Sequence, residues 1–373
     1  MNMPKVSVIM PVYNGVRFVA KAIESLLAQD FRDWELIVVN DGSTDGTADV
    51  LAGFTDDRIH VFHQANGGEA VARNRGLDAV SAEYVAFLDA DDLYLPNALG
   101  DMSAYLDAHP EAHALFSDGY FCDENDRPLG RLSEVRPGPF TGNILEPLVL
   151  DPAVIAGIIC TMTRRATISD SGVRFDPALV IGPDWDFWIH LARYAQFGYL
   201  DHLTCMYRVH QTNITLTSGA KRRKADLVRG RLKVMTSDWF EALSIGTRRK
   251  FFYNLLVALL GNDPGQQQTI MEAPAFQTLP VDLRADLLRL VASNHLTKRR
   301  ENKFAIDCLR QSLQLQPNNQ KSRVLLRLAD TNPALAAAIL SAWKVGHRAQ
   351  ARVRTLGQRR TKPVPAALMP ASE

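Results

Sequence analysis

Three carboxylates stand within four positions of one another, at the end of a run of strand-forming residues from Tyr84 to Leu88. The run is almost continuously apolar, which is typical of a parallel strand buried on both faces. Its carboxyl end, where open α/β sheets bind ligands, carries Asp89, Asp91 and Asp92. Because an unpaired buried charge is costly, these anions must meet water or a cation. A divalent cation that phosphates bring with them fits such a place, since it takes oxygen ligands and uses one or two protein carboxylates.

Three further polar motifs lie at or just after predicted strand ends, namely Pro11-Val12-Tyr13-Asn14, Asn40-Asp41-Gly42-Ser43 and Arg73-Asn74-Arg75-Gly76. In a doubly wound sheet such points converge on one crevice. There Asp41 can accept from a base or ribose, Tyr13 can pack on a ring, and Arg73 can meet a phosphate. Taken alone, each motif is as well explained by a turn or a solvated helix residue. Together they predict a site for a nucleotide diphosphate.

Alternating strands and helices are expected to position these motifs. The first strand, Val6–Val12, is predicted to be halted by Pro11, and the next two are Trp34–Val39 and Ile59–Phe62. Helices between the four strands imply right-handed crossovers and a parallel sheet with helices on both faces. The following elements are expected to add antiparallel strands and one helix, at Ala114–Cys122, Ile155–Thr163, Asp184–Tyr194 and Tyr199–Val209.

Strand signals stop near residue 213, and the balance of charge changes there. Residues 1–212 hold 15 Lys+Arg against 30 Asp+Glu, and residues 213–373 hold 27 against 11. We predict an α/β domain over 1–212, a helical domain over 213–345 and a basic, disordered tail over 346–373. The predicted helices of the second region are Asp226–Trp239, Thr247–Leu260, Leu283–Ala292, Phe304–Leu315 and Gln320–Leu340.

The cellular location is predicted to be cytoplasmic. Four scattered cysteines show no metal-ligand spacing and fit a reducing compartment. The first residues lead straight into a strand without the pattern of a signal peptide. The longest apolar run, within Phe251–Leu260, is too short to span a bilayer.

Four segments of the first 100 residues closely resemble, in order, the motifs of family 2 glycosyltransferases. They read Val-Ser-Val-Ile-Met-Pro-Val-Tyr-Asn, Val-Val-Asn-Asp-Gly-Ser-Thr-Asp-Gly-Thr, Gly-Gly-Glu-Ala-Val-Ala-Arg-Asn-Arg-Gly and Phe-Leu-Asp-Ala-Asp-Asp. The resemblance continues more weakly to about residue 213 and implies an inverting enzyme with the GT-A fold. It also implies Mg²⁺ or Mn²⁺ on the donor diphosphate, where the ion acts as a Lewis acid for the leaving group.

The resemblance assigns roles to single residues. Pro11, Tyr13 and Asp41 match positions that hold a uridine-type base and ribose, and Arg73 matches a position near base and phosphates. Asp89 matches the acid near ribose and metal, and Asp91 matches the metal ligand. The predicted nucleotide-binding set is Pro11, Val12, Tyr13, Asn14, Asp41, Ser43, Arg73, Asp89 and Ala90.

The second half of the site is expected in Gly182-Pro183-Asp184-Trp185-Asp186-Phe187-Trp188. Asp184 matches the general base that takes the proton of the acceptor hydroxyl, although an isolated Asp there would simply cap a helix. Pro183 stands where the family usually has an acid. His210, in a segment that resembles a loop closing over the diphosphate, is either a metal or phosphate contact or a surface histidine.

We therefore predict a metal-dependent hexosyltransferase that moves one sugar from a nucleotide diphosphate sugar, UDP-type favoured, to a hydroxyl of a glycan or glycolipid in envelope polysaccharide synthesis. A nucleotidyltransferase would need a Gly-rich basic loop after the first strand, and a glycosidase would need two opposed carboxylates without a nucleotide site. The remaining alternative is a weakly active or inactive transferase-like domain that serves as a nucleotide-sugar-binding or scaffold protein.

Two basic clusters in the second half predict a further partner. The first runs from Lys221 to Lys233 and the second from Arg348 to Lys362. Aromatic residues are not interleaved with them, which argues against nucleic acid. Because basic residues are attracted to anionic leaflets, we expect reversible peripheral contact with the inner face of a membrane.

Overall fold

The structure is a computed structural model that describes residues 3–342, without the side chains of residues 215 and 216. The chain forms two compact units, the first ending at Gly230 and the second beginning at Arg231. The domain boundary that we predict after residue 212 lies earlier in the chain than this division. The predicted tail, 346–373, and the second basic cluster lie outside the described residues.

Within residues 3–342, nine strands form one mixed sheet: β1 Val6–Val12, β2 Trp34–Asp41, β3 Ile59–Gln64, β4 Tyr84–Phe87, β5 Leu93–Tyr94, β6 Ala114–Cys122, β7 Pro128–Arg131, β8 Thr161–Arg164 and β9 Phe197–Arg208. The helices up to the boundary between the units are α1 Val19–Leu27, α2 Thr47–Ala52, α3 Glu69–Ala79, α4 Ala98–Ala108, α5 Leu145–Leu150, α6 Arg165–Ser171, α7 Pro183–Leu191, α8 Ile214–Thr217 and α9 Ala220–Met235.

The sheet order is β3-β2-β1-β4-β8-β6-β9-β5, with β7 beside β6. The first four strands are parallel, as predicted. Every residue of β1 is buried, which is the reason for its continuous apolar sequence. The parallel register brings the ends of β1, β2 and β4 to one edge of the sheet.

The first strand has the predicted bounds, Val6–Val12, but Pro11 lies inside it and does not halt it, contrary to our prediction. Pro11 pairs with Val39 of β2, whereas the ladder between β1 and β4 stops at Ile9. One side of β1 therefore has no strand partner at Pro11, so the missing N–H costs no ladder hydrogen bond.

The second half of the sheet differs from the prediction in two places. β8 is antiparallel to β4 and β6, as expected, but β6 and β9 run parallel. Of the predicted strand Ile155–Thr163, only the last three residues lie in a strand, since β8 begins at Thr161, and Ile158–Cys160 forms a short 3-10 turn. Its continuous apolar sequence reflects burial, which does not by itself distinguish a strand from a buried turn.

α9 begins earlier than predicted, and its first half belongs to the first unit. The Asp226 carboxylate accepts from the backbone N–H groups of Val180 and Ile181, at 3.2 and 3.1 Å. Arg229 donates to the Ala178 carbonyl at 2.7 Å. These bonds explain why the first unit extends beyond residue 212.

The second unit is helical, as predicted, with α10 Ile245–Tyr253, α11 Pro264–Glu272, α12 Pro274–Gln277, α13 Val281–Thr297, α14 Asn302–Leu315 and α15 Gln320–Thr331. The sequence did not reveal α11 and α12. The predicted helix Gln320–Leu340 is interrupted at Asn332, because Pro333 cannot continue the hydrogen-bond pattern. No helix in the described range is long and apolar enough to cross a bilayer.

Candidate active site

The loops after β1 and β2 are tied together beside the sheet edge. Asn14, in the left-handed region at φ 51°, donates its backbone N–H to the Ser43 hydroxyl at 2.9 Å. Its side-chain oxygen accepts from the Thr44 N–H at 2.8 Å. Asn14 and Ser43 thus fix the loops, while Tyr13, immediately before Asn14, remains 53% exposed. An exposed ring on a fixed loop is suited to packing on a base.

Asp41, at the end of β2, is buried and receives three hydrogen bonds. It accepts from the Gln64 side chain at 2.7 Å and from the backbone N–H groups of Gly67 and Gly68 at 2.9 and 2.8 Å. Gly68 has φ 89°, a conformation that favours glycine. The carboxylate therefore positions the turn that begins α3, in addition to lying at the predicted base pocket. Pro11 and Val12 are buried just before these loops.

Arg73 of α3 is held between two carboxylates. Its Nη2 donates to Asp89 at 2.7 Å and also contacts Glu69, one turn earlier on the same helix. The guanidinium is 2% exposed and lies over the Phe175 ring at 5.4 Å. We did not single out Glu69 from the sequence, although its spacing of four residues from Arg73 is the signal of a helical ion pair.

The acidic stretch after β4 separates into residues with different surroundings. The Asp91 carboxylate lies 2.9 Å from Nε2 of His210, and the other ring nitrogen of His210 lies 2.8 Å from the Thr212 hydroxyl. Asp92 is buried and accepts from the Arg208 backbone N–H at 2.7 Å. Ala90, between Asp89 and Asp91 in the sequence, is half-buried. Asp91 and His210 therefore form one pair, and Asp92 helps to hold β9.

Arg208 connects the acidic stretch to the rest of the first unit, a role that the sequence did not reveal. Its Nε donates to the Asp91 carbonyl at 2.6 Å, and Nη1 pairs with Asp126. Its guanidinium lies over the Phe18 ring at 4.8 Å, and it is fully buried. The Asp91 backbone is therefore fixed by a charged group from β9.

Asp184 is the second residue of α7 and is half-exposed. It is not the helix cap, because Gly182 occupies that position, in the left-handed region at φ 76°. Burial and the charge of Asp91 raise the pKa of Asp89, and the charge of Asp184 raises it further, which means that Asp184 lies near Asp89. Asp186, in contrast, is buried, with its carboxylate 3.4 Å from the His190 ring.

Aromatic rings bring α7 to the sheet edge. Phe187 of α7 stacks on Phe175 at 4.2 Å, and Trp188 meets Phe87 edge to face at 6.3 Å. Phe87 is the last residue of β4 and precedes Asp89 by two positions. The same cluster lies beneath Arg73 through Phe175, and it thus places Asp184 beside Arg73 and Asp89.

The cleft carries an excess of negative charge. Burial, together with the charges of Asp89, Asp184 and Asp91, raises the pKa of Glu69 to about 7 despite the opposing effect of Arg73. Burial also raises the pKa of Asp89 and raises that of Asp92 well above its usual value. A cation bound near these carboxyl groups would favour their charged forms and lower the raised pKa values.

The side-chain donor atoms present fit a divalent ion whose coordination shell is completed by a bound phosphate ligand and water. Residues 3–342 contain no group of three or more His, Cys, Asp or Glu side chains arranged to hold a metal alone. The Asp91–His210 pair offers one carboxylate and one imidazole at adjacent positions. Ions that bind phosphates take one or two protein ligands and complete their shell with phosphate and water, which this pair allows.

Comparisons with known proteins agree with the motifs. Residues 7–166 match the model of Glycosyl transferase family 2. A Bacillus subtilis protein named putative teichuronic acid biosynthesis glycosyltransferase TuaG is 31% identical over 245 residues, covering 63% of this chain and 92% of that protein. Three uncharacterized glycosyltransferases of Rickettsia are 32–33% identical, but the chain spans about a third of their length, 30–34%.

Solved structures share the fold. Staphylococcus aureus TarS in complex with UDP-GlcNAc has a TM-score of 0.54 at 18% identity, over 92% of each chain. The mannosyltransferase PcManGT of Pyrobaculum calidifontis, in complex with GDP-Man and Mn²⁺, has a TM-score of 0.50 at 18% identity, over 92% of this chain and 88% of that one. The predicted GT-A type α/β sheet, followed by a helical region, is confirmed.

Proposed function

Because the chain belongs to glycosyltransferase family 2, we propose that it is an inverting, metal-dependent enzyme that uses a nucleotide diphosphate sugar. The acceptor is a hydroxyl of a glycan or glycolipid in envelope polysaccharide synthesis, a class supported by the name of the B. subtilis relative. The observation that carries the proposal is that Asp184 and Asp91, the latter paired with His210, both lie near enough to Glu69 and Asp89 for their charges to act on these acids, while Arg73 bonds to Asp89.

Each residue has a distinct task in the proposed reaction. Asp184 accepts the proton of the acceptor hydroxyl as the acceptor oxygen bonds to the anomeric carbon and the bond from that carbon to the diphosphate breaks. Attack opposite the leaving group inverts the anomeric centre. Tyr13 packs on the base, Asp41 accepts from base or ribose, and Arg73 orients the phosphates. A divalent cation held by Asp91 and His210 would supply Lewis-acid stabilisation of the leaving diphosphate.

A UDP-sugar is the favoured donor class. Support comes from TarS, whose structure contains UDP-GlcNAc, although PcManGT contains GDP-Man. The experiment is to incubate the chain and Mn²⁺ with UDP-Glc, UDP-GlcNAc, UDP-Gal or GDP-Man and to measure release of the nucleoside diphosphate. We expect release from a UDP-sugar. Release from none of them, with the donor still bound, would favour the alternative of a nucleotide-sugar-binding or scaffold protein, for which Pro183 in place of an acid is the motivating feature.

We also propose a cytoplasmic location with reversible contact at an anionic membrane face. All four cysteines are buried and free, which fits a reducing compartment. A lipid-linked acceptor would be reached from the membrane surface. The first basic cluster is partly committed to the protein itself, because Arg222 pairs with Asp226 and Arg229 binds a carbonyl. Lys221 and Lys224 of the cluster, and the second basic cluster beyond residue 342, would carry the contact.

A further inference from the structure

An open groove lies in the second unit. The residues that line it are distant in the sequence from those of the proposed reaction. The groove has a volume of about 650 Å³ and lies between the first turns of α11 and one face of α14. That volume is within the range of about 300–1,000 Å³ that is typical of small-molecule sites. The wall from α14 carries Phe304, Asp307, Gln311 and Gln314, whose spacing places them on one side of the helix.

The side chains of the groove are polar but nearly balanced in charge. One carboxylate, Asp307, and one guanidinium, Arg310, lie 3.5 Å apart. Three amides, of Gln268, Gln311 and Gln314, provide donors and acceptors together. Those of Gln311 and Gln314 have no hydrogen-bond partner among the described residues. The groove therefore offers free hydrogen-bonding groups without a net charge.

Phe304 adds an aromatic surface to this polar wall. The ring is half-buried and meets His295 of α13 edge to face at 5.2 Å, which fixes its orientation. Gly265 on the opposite wall leaves the groove open, since a Cβ there would meet just the Asp263 carboxylate, at 3.7 Å. A fixed ring beside free amides is suited to a ligand that has both apolar faces and many hydroxyl groups.

We propose that this groove binds an uncharged oligosaccharide. Hydroxyl groups both donate and accept, which matches amides and the Asp307–Arg310 pair, and the C–H face of a sugar ring packs on an aromatic ring. Nucleic acid or an anionic headgroup would need a positive surface, which a balanced groove does not provide. A helical peptide would need an apolar groove. That the saccharide is part of the acceptor glycan rests on the proposed function, whereas the binding itself does not.

The test fills the groove without disturbing the core. Gly265→Leu places a side chain in open space at the second position of α11, and Gly246→Leu does the same at the second position of α10, where the nearest atom to a Cβ is 4.0 Å away. Saturation-transfer NMR on the full chain with chitotetraose, cellotetraose, mannotetraose and maltotetraose measures binding. We expect at least one to bind, with affinity reduced about tenfold or more by Gly265→Leu and unchanged by Gly246→Leu.

A second variant, Gln311→Ala with Gln314→Ala, removes the free amides and is expected to weaken binding of the same saccharide. Failure of all the saccharides to bind, or equal binding by wild type and Gly265→Leu, would overturn the proposal. Release of nucleoside diphosphate from the donor in the absence of a glycan acceptor should be the same in Gly265→Leu and wild type. An inactive enzyme whose saccharide binding is lost in Gly265→Leu would contradict the proposed function and leave the groove supported.

Discussion

At the scale of single residues, three aspartates of the site have different surroundings. Asp91 faces His210, Asp92 faces a backbone N–H, and Asp184 faces the cleft from another element. On the basis of their charge alone, the three aspartates would be expected to behave alike. Their surroundings predict different consequences for the same Asp→Asn change.

Asp184→Asn is expected to lower kcat by about 10²-fold or more, because an amide cannot accept the proton, with little change in donor affinity. Steady-state kinetics and calorimetry with the donor sugar measure the two effects. Asp186→Asn is the control, since its side chain is buried beside the His190 ring. Activity in Asp184→Asn together with inactivity in folded Asp186→Asn would reverse our assignment of the base.

Asp91→Asn is expected to abolish transfer and to remove the Mn²⁺ dependence of UDP binding, because the ligand loses its charge. Calorimetric titration of UDP with and without Mn²⁺ tests this without relying on turnover. Asp92→Asn is the matched control, since its carboxyl group binds the Arg208 amide, and it should keep the metal effect. Normal Mn²⁺ dependence in Asp91→Asn would rule out its metal role.

Glu69→Gln is expected to reduce the pH dependence of stability. The ordinary pKa of 4.5 is raised to about 7 in the folded chain, so between these values the folded state binds more protons than the unfolded state. The free energy of unfolding should therefore fall as pH rises through this window, and less so in the variant. Urea denaturation at pH 5 and pH 8 measures this, with the exposed Glu24→Gln as control. An unchanged pH dependence in Glu69→Gln would contradict the shift.

At the scale of elements, α3 is placed on the sheet by close backbone approach. A Cβ added to Gly76 would lie 2.4 Å from Cγ2 of Ile9 in the buried strand β1. α3 carries both Glu69 and Arg73, so this packing fixes their distance from Asp89. The apolar face of the helix alone would not demand a glycine here.

Gly76→Ala is expected to destabilise the fold by about 1–3 kcal/mol, because overpacking outweighs the gain in helix propensity. Gly100→Ala in α4 is the control, since its Cβ would make an ordinary contact with Phe31 at 3.6 Å, and it should be neutral or stabilising. Urea unfolding measures both. Adding Ile9→Ala should recover part of the loss in Gly76→Ala, and strictly additive effects would argue against the close approach.

At the scale of the whole molecule, charge is unevenly distributed, with an acidic half up to residue 212 and a basic half beyond it. The acidic half contains the cleft, and the basic half contains the proposed saccharide groove and membrane contact. Net charge near zero conceals this division.

We expect the chain to co-sediment with anionic vesicles at low salt and not at high salt. Each engaged basic residue contributes about 1 kcal/mol, and this electrostatic attraction is screened by salt. Neutral vesicles should bind little. A chain ending at residue 345 tests how much the second basic cluster contributes. Equal binding to anionic and neutral vesicles would contradict an electrostatic membrane contact.

The sequence by itself determined the elements whose signals are local. Continuous apolar runs predicted β1, β2 and β4, and the polar motifs at their ends predicted which residues share an edge, because parallel strands leave no other arrangement. The family resemblance supplied the proposed roles of Asp91 and Asp184. Local patterns also gave the helical second half, although not α11, α12 or the break at Asn332.

The tertiary structure alone decided how distant segments meet. The Phe87–Phe175–Phe187–Trp188 cluster brings α7 to α3, and Arg208 fixes the backbone of Asp91 from more than 100 positions away. The parallel pairing of β6 with β9 depends on such contacts as well. Contacts between distant segments depend on how whole elements pack together, and the local spacing of apolar residues in the sequence does not specify that packing. For that reason the acids could be found in the sequence, but the Arg73–Asp89 and Asp91–His210 pairs, which join distant segments, could not.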